Sequence, residues 1–150
     1  MKTILLIEDH ELLRLNTAEM LGLAGYAVQA AADGQAGLNL AQTHPPDLVV
    51  CDIMMPLLDG YGVLACFRQT PRLAGVPFLF LTAKIDRADQ RHGMALGADD
   101  YLTKPFQEAE LLSAISGRLH RFRDLQSDYD LSGDGLHEFL TDARAVGQLE

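Results

Sequence analysis

The chain has 150 residues, 48% of them apolar and 22% charged, with a formal net charge of −9 at pH 7. That length holds one domain with a sizeable core plus a short appendage. The acidic balance excludes a basic face of the kind that grips a nucleic-acid backbone, so this segment is expected to bind no nucleic acid itself.

The chain opens with "MKTILLIED". Its apolar run is too short for a signal peptide, and no later stretch is long enough to span a bilayer, so a cytoplasmic protein is expected. Within the opening, Thr3–Ile7 reads as a buried parallel strand. Leu12, Leu13, Leu15, Met20, Leu21 and Leu23 then recur at helical spacing up to Gly25. Tyr26–Ala31 predicts a second strand. Asp33 and Gly34 open a helix carrying Leu38, Leu40 and Ala41, which His44, Pro45 and Pro46 stop. Asp47–Asp52 is a third strand, and "PLLDGYGVLACFRQ" passes from loop into a helix that Pro71 ends. Val76–Ala83 is a fourth strand, with Pro77 tolerable only near its start. Asp86–Leu96 predicts a polar helix, "ADDYLTKPF" holds a short fifth strand, and a long amphipathic helix runs from Glu108. Cys51 lies in a strand and Cys66 in a helix, so both are read as reduced structural thiols, not a disulfide.

Strands and helices that alternate through short loops specify an α/β fold. Five of each make a doubly wound five-stranded parallel sheet with helices on both faces. The composition turns polar near Arg121. The domain is placed at residues 1–121, with 122–150 as a helical extension or linker.

In such a sheet, reactive groups gather outside the carboxyl ends of the strands. Glu8 and Asp9 follow the first strand, Asp52 ends the third, Thr82 ends the fourth, and Lys104 follows the fifth. A buried carboxylate such as Asp52 is costly unless something pairs with it. Crowded carboxylates repel one another, and a hard cation such as Mg²⁺ reconciles them. With a lysine nearby, one carboxylate is left to attack phosphorus.

These motifs resemble the receiver domain of bacterial two-component response regulators. The resemblance rests on "LLIEDH", "VVCDIMMPLLDG", "FLFLTA" and "GADDYLTKPF", and it covers residues 2–121 in the right order and spacing. It implies a flavodoxin-like fold. It further implies that Asp52 accepts a phosphoryl group from a sensor histidine kinase or phosphotransfer protein. Glu8, Asp9, Asp52 and the backbone carbonyl of Met54 would hold Mg²⁺. Lys104 would contact the phosphoryl group, while Thr82 and Tyr101 would act as switch residues. The face made by the fourth helix, fifth strand and fifth helix would then control a downstream effector. The Lys104–Pro105 bond is expected to be cis, as in the family.

Taken singly, Asp52 reads as a turn residue, Lys104 as a surface lysine and Tyr101 as packing. His10 reads as a solvated residue at the start of the first helix. "DYDLSGDG" suggests a calcium loop, but the twelfth position falls on Phe139 or Thr141, so it is read as a turn between two helices. Ala114 stands where receivers of winged-helix transcription factors usually carry a basic residue that pairs across a dimer.

Two other functions compete. An aspartyl-phosphate phosphohydrolase needs an acid two residues after its nucleophile, where this chain has Met54. A phosphorylation-independent interaction module would normally have lost an acid or the lysine. Leu111, Ile115, Phe122, Leu125 and Tyr129 form a near-heptad seam, so the fifth helix is expected to reach about Tyr129. There it would pair with a second copy or with Leu136–Leu149 folded back. The sequence names neither the kinase nor the output.

Overall fold

The computed structural model describes residues 1–83 and 87–133, without the side chains of 87–89 and 121–133. Five strands alternate with five helices in chain order. These are β1 (Thr3–Ile7), α1 (Glu11–Leu23), β2 (Ala27–Ala31), α2 (Gly34–Thr43) and β3 (Leu48–Cys51). They continue with α3 (Gly60–Gln69), β4 (Phe78–Thr82), α4 (Arg87–Leu96), β5 (Asp100–Thr103) and α5 (Glu108–Gly133). All strands are parallel, in the order β2-β1-β3-β4-β5.

The sequence explains who sits where. β1, β3 and β4 are near-continuous apolar runs and occupy the three central places, where helices cover both faces. β2 and β5 mix apolar with polar residues and take the edges. The core runs through Leu5, Ile7, Val49, Val63, Leu64, Phe67, Phe78 and Phe80. Helix starts are capped by side chains. His10 Nδ1 accepts from Leu13 N at 3.3 Å, Asp33 from Ala36 N at 2.8 Å and Asp59 from Gly62 N at 2.9 Å. His10 is exposed as expected, and its capping role is what spacing alone did not carry.

Three expectations need adjustment. Tyr26, Asp47 and Val76 fall outside their strands. Asp47 instead turns its carboxylate to accept from Thr3 N at 2.7 Å. On α1 the inward face is Thr17 and Leu21, while Leu12, Leu15 and Leu23 are exposed, so the helix carries more leucine than its buried stripe uses. α5 continues to Gly133, so Asp128–Ser132 are helical and do not open a turn. Asp134 onward, including the fold-back segment Leu136–Leu149, lies outside the described residues, as do the side chains of Phe122, Leu125 and Tyr129. The chain divides into two compact units, Met1–Ser116 and a second from Gly117 on. Both cysteines are free, with Cys51 buried. Among the described residues, no helix is long and apolar enough to cross a membrane.

Candidate functional site

Register assembles the site. Ile7 lies opposite Cys51, so the next residues, Glu8 and Asp52, leave the sheet side by side. Their backbones are still tied to it, because Asp52 N donates to Ile7 O and Glu8 N to Ala31 O, both at 3.0 Å. The strand order reverses between β1 and β3, which is where a doubly wound sheet opens a crevice. On the other side Thr82 pairs with Thr103, and Lys104 N donates to Thr82 O at 2.8 Å. Lys104 is therefore delivered to the same edge. The Lys104–Pro105 bond is cis.

Glu8 and Asp52 are buried, at 2% and 6% exposure, while Asp9 is exposed. Carboxylate oxygens of Glu8, Asp9 and Asp52 all lie within 4.8 Å of one another. Lys104 Nζ donates to Glu8 Oε1 at 2.8 Å and stands 3.4 Å from Asp52 Oδ2. The second Glu8 oxygen accepts from His10 N at 3.1 Å, and Arg14 Nη1 donates to the Glu8 carbonyl at 2.9 Å. One lysine thus faces three acids. The Asp52 carboxyl is raised to about 6, first by burial and then by the neighbouring Glu8 carboxylate. The Lys104 ammonium and its hydrogen bond pull it back, as does a backbone hydrogen bond from Ile53.

The donor chemistry suits a hard cation. Three carboxylates offer hard oxygens, and their repulsion falls when a divalent ion sits among them. Beside them the Thr82 hydroxyl is completely buried and has no hydrogen-bond partner among the described residues. Buried hydroxyls are rarely left so, and this one stands at the strand end where an incoming oxygen would find it. A Cβ at Gly60 would overlap the Asp52 carbonyl oxygen and come within 2.8 Å of Ile53 Cα, so only glycine lets α3 start this close to Asp52.

The match to known proteins decides the family. A model of the response regulator receiver domain matches residues 4–116. The chain belongs to that family. As a receiver it is a module of two-component signalling, similar to proteins described as transcriptional regulators. It is 41% identical over 133 residues to a "Probable transcriptional regulator ycf27" of Porphyridium aerugineum, covering 89% of this chain and 54% of that protein. It is 41% identical over 120 residues to the "Alkaline phosphatase synthesis transcriptional regulatory protein PhoP" of Bacillus subtilis, covering 80% of this chain and 49% of that protein. The chain spans about half the length of these curated relatives. Among solved structures it is similar to the Vibrio cholerae chemotaxis protein CheY4, at TM-score 0.75 and 31% identity over 77% of this chain and 97% of that one. A CheY-like receiver from Methanospirillum hungatei gives TM-score 0.77 at 26% identity, over 83% of this chain and 98% of that one.

In this receiver, Glu8, Asp9, Asp52, Thr82 and Lys104 stand at one edge of the sheet. Tyr101 does not join them. It lies further down β5, partly buried, its ring 5.2 Å from that of Phe80 and its hydroxyl pressed against Gly93 of α4. The Met54 side chain is 74% exposed, beside the site and not in it. Sequence reasoning missed Arg14, which braces Glu8 through a backbone carbonyl, and such a contact leaves no trace in a pattern. It also missed Gly93, although a glycine inside a helix costs about 1 kcal/mol against alanine and so asks for a reason.

Proposed function

We propose that the chain is a phosphorylation-dependent signalling switch that accepts a phosphoryl group onto Asp52. The observation that carries this is Asp52 buried between Glu8 and Lys104, with carboxylate oxygens of Glu8, Asp9 and Asp52 within 4.8 Å of one another. An Asp52 oxygen attacks phosphorus of a phosphohistidine on a sensor kinase or phosphotransfer protein. The P–N bond breaks, and its electron pair stays on the imidazole nitrogen, which takes a proton. Water later cleaves the acyl phosphate and returns Asp52 with inorganic phosphate. Glu8, Asp9, Asp52 and the Met54 carbonyl would hold Mg²⁺, which would supply positive charge to offset that of the phosphoryl group. Lys104 balances the buried charge, and the Thr82 hydroxyl donates to a phosphoryl oxygen.

The output follows from packing. When Thr82 is drawn to the phosphoryl group, the end of β4 shifts, and Tyr101 and α4 adjust to it. The face of α4, β5 and α5 then meets a downstream effector. The chain carries out its own phosphorylation and dephosphorylation and has no metabolic substrate. We assign residues 1–121 to the receiver and 122–150 to an extension through which two copies could pair.

Incubation with acetyl phosphate and Mg²⁺, followed by intact mass measurement, tests this reading. The parent gains one phosphoryl group and Asp52→Asn loses at least about 100-fold in rate, a barrier change near 3 kcal/mol. Labelling of Asp52→Asn at the parent rate would overturn the assignment.

A further inference from the structure

Between Asp52 and α3 the loop alternates inward and outward. Ile53 and Met55 are buried and Leu58 is half-buried, while Met54 and Leu57 point out. The loop is fixed in place. Gly60 N donates to Ile53 O at 2.9 Å, and Leu58 O lies 2.8 Å from where a Cβ on Gly34 of α2 would stand.

Leu57 is the exception to economy within this loop. Its φ is +70°, and it is the only non-glycine residue with positive φ among the described residues. Leu58 N donates to Pro56 O at 2.8 Å across it. A hydrogen bond two residues back over a positive-φ centre is the γ-turn of the rarer and more strained hand. A branched side chain worsens that strain, and glycine or asparagine would relieve it. The leucine gains nothing in return within the described chain, because its side chain is fully exposed. A strained backbone beside a reactive group, holding an apolar side chain in water, calls for a partner that the described residues do not supply.

We propose that Leu57, with Met54 beside it, is an apolar contact for the phosphodonor protein and sets the rate and selectivity of phosphotransfer to Asp52. This rests on the reading of Asp52 as phosphoacceptor. Reach supports it. Leu57 follows Asp52 by five residues, a contour of at most about 18 Å, and the hydrogen bond from Gly60 N to Ile53 O folds the loop back so that the direct distance is shorter. A standard interface covers about 800 Å² of each partner, a disc of roughly 16 Å radius. A protein that brings phosphorus to Asp52 and covers a patch of that size therefore reaches Leu57. A small phosphodonor need not touch it. A second copy is a poor occupant, because face-to-face packing would oppose two clusters of three carboxylates on chains of net charge −9. The fitting partner presents phosphohistidine beside an apolar recess.

Leu57→Asn and Leu57→Gly keep the turn and should fold at least as stably as the parent. The donor is the autophosphorylated histidine kinase domain that labels the parent fastest in a purified panel. Both variants should take phosphate from acetyl phosphate within twofold of the parent. Transfer from the kinase should fall about tenfold in kcat/KM, mainly through KM, the size of one modest interface contact. Leu57→Met should restore most of it. Unchanged kinase transfer in both variants overturns the inference, as does a panel in which no kinase labels the parent. Unchanged transfer with altered self-association in sedimentation would assign the knob to a second copy instead. If acetyl phosphate fails to label the parent, the reading of Asp52 itself falls, which separates the two failures.

Discussion

β4 and β5 each run between two ionic clusters of opposite character, one half-buried and the other with Glu8 and Asp52 buried. At their amino ends, Arg68 of α3 donates to the carbonyls of Ala74, Val76 and Gly97 at 3.0, 2.7 and 2.6 Å and stands 3.4 Å from Asp99. The same Asp99 oxygen accepts from Phe78 N at 2.7 Å. One cation meets one anion there, and the guanidinium fork is spread over backbone carbonyls. Burial pushes Arg68 down from its usual range, and Asp99 opposes that shift. At the carboxyl ends, among the described residues, one lysine faces three carboxylates and a buried hydroxyl lacks a partner. The first cluster is satisfied and holds loops in place. The second holds more negative than positive charge among the described residues, an imbalance that the proposed cation would relieve. Burial of charge alone separates nothing, whereas the balance of charge and hydrogen bonds does.

The sharpest way to break this comparison is to remove each cation in turn. Arg68→Met should cost about 2–3 kcal/mol, because it strips partners from three carbonyls and from Asp99, with a discount for the partial exposure of the pair. The folded fraction should still take phosphate from acetyl phosphate within about twofold of the parent. Lys104→Met should cost less, about 1–2 kcal/mol, because Asp52 can take up a proton when its cation goes. It should nevertheless abolish the structural response to beryllofluoride. Denaturant melts beside beryllofluoride titrations followed by amide NMR check both. An Arg68→Met variant that folds but cannot be phosphorylated would erase the distinction.

A smaller effect lies in pH. The folded-state pKa of Asp52 is raised from 3.8 to about 6. A raised carboxyl pKa means that the folded chain holds the proton more tightly than the unfolded one. Asp52 adds no penalty below about pH 4, accumulates one as pH rises from 4 to 6, and carries it in full above 6. Without divalent metal, stability should therefore rise by about 2 kcal/mol as pH falls from 7.5 to 4.5, apart from other groups. Asp52→Asn should remove that slope and stabilise the metal-free chain at pH 7.5. Millimolar Mg²⁺ should flatten it in the parent by favouring the ionised form. Urea melts in EDTA across this range measure it, and identical slopes in parent and Asp52→Asn would contradict the account.

The two clusters also differed in how well the sequence announced them. Glu8, Asp52 and Thr82 each follow or end an apolar run and Lys104 follows the mixed fifth strand, so parallel topology sends them to one edge. β1, β3 and β4 were legible for the same reason, since a strand buried on both faces must be apolar throughout. The Arg68 cluster was silent, because three of its four acceptors are backbone carbonyls that every residue owns. α1 misled because Leu12, Leu15 and Leu23 satisfy a helical period yet lie outside the buried stripe. The strain at Leu57 is a property of φ, visible in sequence only as a leucine between Pro56 and "LDG".

Tyr101 lies on β5 between the two clusters, and whether it belongs to the fixed or the adjustable end is open to a gentle substitution. Its hydroxyl is pressed against Gly93, so a β-carbon there would overlap the ring's oxygen. In Gly93→Ala, helix propensity favours the alanine by about 1 kcal/mol. Expelling the ring loses its packing on Phe80, a contact of about 0.5–1.5 kcal/mol beyond area burial. The ring's lost burial against the core adds to that loss, so the balance is unfavourable and the melting midpoint should fall modestly. The conformation should move more, with Tyr101 turned outward and its nuclear Overhauser contacts to Phe80 lost. If Tyr101 belongs to the adjustable end, Gly93→Ala should also weaken beryllofluoride binding severalfold, because the inward ring is part of the state that the ligand selects. A ring that stays inward, with α4 pushed aside and affinity unchanged, would place Tyr101 with Arg68 among the fixed parts of the fold.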